Sequence, residues 1–183
     1  MLGLKCARYS DKLGLHSRWT IEAMPSLVLR CTDPDEANRV TREHFQWAME
    51  AACWDGTFLA ASCSPHQLWK DTPWVKHDAA NVPNESCSCG IHGVYSIESI
   101  VHYLDEFIPR IRYDADVILL VNAFGKVIPA RMGFRAQYVR AIAAVTHKGL
   151  GQRGQLISGM FGLPVISSQE AMREIGKETQ CQS

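Results

Sequence analysis

Three stretches of this 183-residue chain carry the side chains best suited to chemistry: Cys63-Ser-Pro-His66, His77-Asp78 and Cys87-Ser-Cys89-Gly-Ile-His92. Thiolate and imidazole are the ligands that zinc gathers into a closed tetrahedral site. Cys87 and Cys89 are separated by one residue, tighter than the usual two-residue knuckle. Such a pair chelates only where the backbone reverses sharply, and Gly90 follows directly to permit that reversal. The set expected to hold a structural zinc is Cys63, His77, Cys87 and Cys89, with His92 as an alternative for Cys63 or His77.

Two other readings compete. In the first, the thiols are small buried residues and the histidines are surface or satisfied core groups. In the second, Cys89 is the nucleophile of a hydrolase, with His77, His92 or His102 as its base and a site that lowers the thiol pKa. The run around Cys89 matches no local cysteine-protease signature. The zinc-deaminase pattern, the phosphate loop, the dinucleotide fingerprint, the nucleophile elbow and the helical metalloprotease pair are all absent. Trp54, Trp69 and Trp74 surround the cysteine stretch; they wall a small irregular core or form an aromatic platform for a partner.

Residues 62–90, with Pro65, Pro73, Pro83, Asn81, Asn84 and Gly90, read as one long loop. A loop of that length in a compact domain needs something to hold it, and a metal would serve. The elements around it follow from pattern. Ser26 to Arg30 reads as a short strand, and Thr32-Asp-Pro-Asp-Glu36 opens a helix over about 34–53. Thr57 to Ala61 is a strand, and Ser96 caps a helix with Ile97, Ile100, Val101, Leu104 and Ile108 as its apolar stripe. Asp116 to Asn122 is a buried strand and Phe124-Gly125-Lys126 a turn. Val127 to Ile128 and Phe134 to Val145 continue as antiparallel partners, the Ala-rich end of the last segment fitting a helix equally well. On that last segment, alternation puts Phe134, Ala136 and Tyr138 on one face and Arg135 and Gln137 on the other. A short helix over Gln152 to Phe161 stops at Gly162, and Leu163 to Ile166 is a strand. Ser167-Ser-Gln-Glu170 is a capping box before a last helix to about Lys177. Residues 1–25 are weakly patterned and read as a loosely docked arm, leaving 26–183 as a single domain. The expected class is α+β, a small mixed or antiparallel sheet flanked by helices with a long cysteine/histidine-rich loop.

Hydrophobic content of 46% and charged content of 21% are ordinary globular usage and exclude a disordered chain. Seven cysteines, an odd number, and the lack of an apolar leader point to free or metal-bound thiols in a reducing, cytoplasmic setting. No run approaches the length of a membrane span, so no membrane association is expected. The formal net charge is zero. Its distribution is uneven, because no Asp or Glu occurs from Val117 to Gln169. Arg131, Arg135, Arg140, Lys148 and Arg153 within that stretch are the candidate surface for nucleic acid or an acidic partner. Arg135, set between apolar strand residues, can instead pair with a buried acid such as Asp116.

The ordered runs Pro83-Asn-Glu-Ser-Cys87-Ser-Cys89-Gly-Ile-His92, Val117-Ile-Leu-Leu-Val-Asn-Ala-Phe-Gly125-Lys-Val127 and Gly133-Phe-Arg-Ala136 resemble a group of uncharacterised actinobacterial and phage proteins, as does Phe161-Gly-Leu-Pro-Val165. The resemblance covers about residues 57–170, and that group usually has Tyr where His92 stands. It implies a single fold unit of phage-like or bacterial origin and carries no reaction; the expectation is a phage or mobile-element accessory protein. The function expected is a non-enzymatic, metal-braced module that contacts a protein partner, with nucleic acid as a second partner. A cysteine hydrolase and a structural component of a viral particle are the alternatives. Nothing in the sequence sets an oligomeric state.

Overall fold

The computed structural model describes residues 1–10, 14–17, 54–55, 57–61, 63, 78–87, 89–100, 102, 116–147 and 154–181. Its centre is one long hairpin. Strands β5 (Asp116–Ala130) and β6 (Gly133–Thr146) pair antiparallel along nearly their whole length around a two-residue turn, Arg131–Met132. Val, Ile, Leu and Ala dominate residues 117–121 and 141–145 because both faces of the sheet are covered there, which removes simple polar alternation. The class is α+β, as composition and pattern predict.

Among the described residues, five shorter strands attach to the hairpin. β1 (Leu2–Ser10) pairs antiparallel with β5, and β2 (Gly14–Ser17) pairs with β1. β3 (Phe58–Ala60) and β4 (Ile91–Val94) lie end to end along the other edge of β6, and β7 (Val165–Ser167) joins β6 in parallel. Leu4 of β1 also pairs with Val94 of β4. The succession β1, β4, β6, β5 therefore returns to β1, and the sheet curls until it meets itself. The Phe134 ring lies over Gly3 and Gly93, where added methyls would run into it. Closure at this corner thus depends on two positions without a side chain.

Two bulges allow the curl. Ile142 is the extra residue between the Leu120–Ala143 and Val121–Ala141 pairs, and Gly125 and Lys126 together oppose Gln137. Gly125 has φ +72, and the Lys126 amide donates to the Gln137 side-chain oxygen at 3.2 Å. The expected turn at Phe124-Gly125-Lys126 is therefore a bulge inside a continuous strand. Glycine at positive φ serves either purpose, so the residue types alone do not separate them. The same bulge interrupts alternation in β6. Phe134 and Ala136 join the buried cluster on the first face of the sheet, whereas Tyr138 is half-buried on the second. Tyr138 thus departs from the face that strict alternation gives it.

The first face buries Ala7, Leu59, Val117, Leu119, Val121, Val139 and Ala144 with Trp54, Ile157 and Leu163. The second buries Leu4, Ile118, Leu120, Ala143 and Val145 against Ile97, Ile100, Ala171 and Ile175. Ile157 comes from α1 (Gly154–Phe161), which ends at Gly162 with φ +65. Ala171 and Ile175 come from α2 (Ser168–Cys181). The capping box before α2 forms as the sequence predicts: the Ser167 amide donates to Glu170 Oε2 at 2.8 Å and the Glu170 amide to Ser167 Oγ at 3.2 Å. These bonds hold the Glu170 carboxyl below its ordinary pKa. Residues 97–100 and 102 are helical, and the Ser99 amide donates to Ser96 Oγ, the cap expected there.

Residues 2–10 are not a loosely docked arm. Leu4 and Ala7 are fully buried, and β1 registers with β5 from Leu2–Asn122 to Arg8–Asp116. Leu2, Leu4 and Cys6 contribute to the second face, while Gly3, Lys5 and Ala7 stand on the first. Burial on both faces hides the alternation that would mark a strand. The expected strand over Ser26 to Arg30 and helix over about 34–53 fall outside the described residues. No described helix is long and apolar enough to cross a membrane.

Candidate metal centre

β3 and β4 bring the cysteines together because both use the same edge of β6. β3 pairs with Tyr138 to Arg140, and the Ala61 amide extends that pairing to the Gln137 carbonyl at 2.7 Å. β4 begins at Ile91, opposite Ala136. The chain therefore leaves one strand and enters the next at adjacent positions along β6. Cys63 lies just past the end of β3, and Cys87 and Cys89 just before β4. All three are buried, and their sulfur atoms lie within 4.8 Å of one another. With zinc–sulfur bonds of about 2.3 Å, a tetrahedral site needs sulfurs about 3.8 Å apart, so a small contraction would suffice.

Local hydrogen bonds shape the loop. The Cys87 amide donates to the Asn84 carbonyl at 3.2 Å, closing a turn, and the Ser86 amide and hydroxyl both donate to Asn84 Oδ1. Two amides point at sulfur: Asn84 N–H at Cys89 Sγ and Cys89 N–H at Cys87 Sγ, each at 3.4 Å. Gly90 has φ +116, and a side chain there would meet Pro83 Cβ at 2.8 Å. The sharp reversal expected at this glycine is present.

Arg135 locks the loop to the sheet. Its Nη1 donates to the carbonyls of Asn84 (3.0 Å), Cys87 and Cys89 (3.1 Å). The sequence offers Arg135 as part of the basic partner surface or, in the competing reading, as a structural residue paired with an acid such as Asp116. Its observed acceptors are backbone carbonyls, which leave no trace in residue type.

Burial pushes the Cys89 thiol up to about 11, helped by Cys87 and Cys63 and opposed by the Asn84 amide. A thiol held that high carries almost no thiolate at neutral pH, the opposite of what a nucleophile requires. Crowded thiols that oppose one another's ionisation are the kind that a bound cation deprotonates.

The other site expectations fall as follows. His77 is outside the described residues. His92 is exposed on β4 and stays out of the cysteine group, and His102 is exposed. Trp54 is buried in the first-face core, while Trp69 and Trp74 lie outside the described residues. Arg131 is exposed at the hairpin turn, and Arg140 is exposed on β6 seven positions beyond Gly133, roughly 23 Å of extended strand away from the turn. Lys148 and Arg153 lie outside the described residues. Sequence reasoning missed the cluster of Phe58, Phe124 and Tyr138, whose rings gather from three strands at centroid distances of 5.5–6.0 Å. Only the register of β3 and β5 on β6 brings them together.

Comparison with known proteins finds no matching family model, no matching curated protein and no matching solved structure.

Proposed function

We propose that this chain is a non-catalytic binding module whose loop between β3 and β4 is braced by a structural zinc ion. The observation that carries this reading is the burial of Cys63, Cys87 and Cys89 with their sulfurs within 4.8 Å of one another. Zinc suits three soft donors in a closed, buried setting, and His77 is the sequence's candidate for the fourth position. The metal would tie the two ends of residues 63–89 together at the edge of β6. The raised Cys89 thiol speaks against the hydrolase alternative. The motif resemblance adds a phage or mobile-element accessory role to the proposal.

Elemental analysis of protein purified without chelator tests it. About one equivalent of zinc per chain is expected, lost in Cys87→Ser and in Cys89→Ser, with a lower melting temperature in each. Metal-free protein of undiminished stability in chelator would overturn the reading. Rapid alkylation of Cys89 at neutral pH in the metal-free protein would restore the nucleophile.

A further inference from the structure

The second face of the sheet is covered only in part. Around Ile118, Leu120, Ala143 and Val145 it is buried by α2 and residues 97–100. Further along the hairpin it opens. Residues directly opposite in the register share a face, as do residues two apart on a strand. One row across the three strands is therefore Phe58, Arg140 and Asn122, and the next is Ala60, Tyr138 and Phe124. Their sequence neighbours Leu59, Val139, Ala141, Val121 and Ala123 are all buried on the first face. Arg140, Asn122 and Ala60 are exposed, Phe124 is 37% exposed, and Phe58 and Tyr138 are half-buried. Tyr138 stacks on Phe58 (5.7 Å, 27°) and on Phe124 (5.5 Å, 29°).

Three rings on an open sheet face, with a guanidinium and an amide in the adjoining row, combine two chemistries. The rings offer flat apolar surface. Arg140, with Lys126 exposed at the bulge beside Phe124, offers positive charge. Among the described residues no Asp or Glu stands on β3, on β6, or on β5 beyond Asp116; the one acid beside the face is exposed Asp55, bridged to Phe58 at its edge. A ligand that alternates flat rings with negative charge complements this face, and single-stranded nucleic acid is such a ligand: its bases stack on aromatic residues while its phosphates meet Arg and Lys. We infer that the face formed by Phe58, Phe124, Tyr138 and Arg140 binds single-stranded nucleic acid by base stacking. Duplex is disfavoured, because its bases are already stacked on one another.

This site supplies a partner for the binding-module reading and involves none of the cysteines. The test is therefore run on the protein as purified, with its metal content measured in the same samples. Anisotropy of a labelled oligothymidylate or oligouridylate at low salt should report saturable binding, with a duplex of equal length binding more weakly. Phe124→Ala should weaken binding at least about fivefold, and Phe124→Trp should preserve it. Arg140→Gln should reduce the salt slope by about one unit. Phe124 and Arg140 are exposed enough for both variants to keep the wild-type melting temperature, which circular dichroism checks. Should Phe124→Ala not fold, Arg140→Glu carries the test, since an exposed charge reversal must abolish binding at low salt. Lack of binding at low salt overturns the inference, as does equal binding of heparin, which has charge without bases. An undiminished affinity in folded Phe124→Ala also overturns it. So does a chain that self-associates through this face, seen as a dimer that Phe124→Ala dissociates without any oligonucleotide binding. A metal-free protein that still binds would sink the zinc proposal and leave this one standing.

Discussion

Arg135 and Lys5 show how single side chains are placed against their usual habits. The guanidinium of Arg135 is half-buried and satisfies three carbonyls of a loop that has few apolar contacts of its own. Arg135→Ala should cost about 1–3 kcal/mol in denaturant unfolding, because charged hydrogen bonds are lost and carbonyls are left partly unmet. It should also weaken metal retention in competition with a chelator. Arg135→Lys should recover only part of both losses, since an ammonium does not reproduce the planar fork. Lys5 stands on β1 opposite Leu119, is 8% exposed, and donates to the His92 carbonyl at 3.3 Å. Burial lowers its pKa from 10.5 to about 8. The folded state therefore releases the proton more readily than the unfolded chain, so Lys5 favours folding increasingly as pH rises from about 8 towards 10.5 and opposes it most below 8. Lys5→Met should stabilise the protein near neutral pH by about 1–3 kcal/mol, the gain shrinking as pH rises from about 8 and vanishing above about 10.5. Comparing the two proteins across pH isolates Lys5 from the thiols, which titrate in both. A constant difference at every pH would mean that burial does not lower the Lys5 pKa.

The strands and helices differ in how openly the sequence declares them. The capping box at Ser167, the stop at Gly162 and the Ser96 cap are local, each written in a few adjacent residues, and each is found where expected. The apolar run from Val117 is also explicit, and Leu119 lies fully buried in it. Leu119→Ala should cost about 2–5 kcal/mol in equilibrium unfolding, and a loss below about 0.5 would be surface-like. β1 is harder to read because Lys5 faces a core and Gly3 leaves room for the Phe134 ring. Both residues look like breaks in a pattern, yet each answers to a neighbour distant in sequence. Gly93→Ala should destabilise by about 1–3 kcal/mol through overpacking against that ring. Phe134→Leu in the same chain should relieve part of this loss, giving a coupling that a double-mutant cycle measures. Additive effects would mean that the ring does not fill the space above Gly93.

Closure of the sheet sets what the whole molecule can withstand. All three cysteines of the group are named from sequence, Cys87, Cys89 and Gly90 as one local pattern and Cys63 as a separate candidate, but what brings Cys63 to the others is the abutment of β3 and β4 on β6. That abutment, like the return of β1 to β4, is a matter of strand order, which residue types do not encode locally. It also means that the cysteine loop hangs from a sheet that has its own support. The thiols form a small cluster with Val82, separate from the two large cores. A classical zinc finger unfolds without metal because it has no other core. If the loop holds the proposed zinc, its removal should melt the loop and spare the sheet. Chelator should lower the melting temperature yet leave one cooperative transition, with hydrogen exchange accelerating at residues 84–90 while amides of β5 and β6 stay protected. Loss of protection throughout β5 and β6 on chelation would show instead that the metal, and not the two cores, holds the hairpin closed.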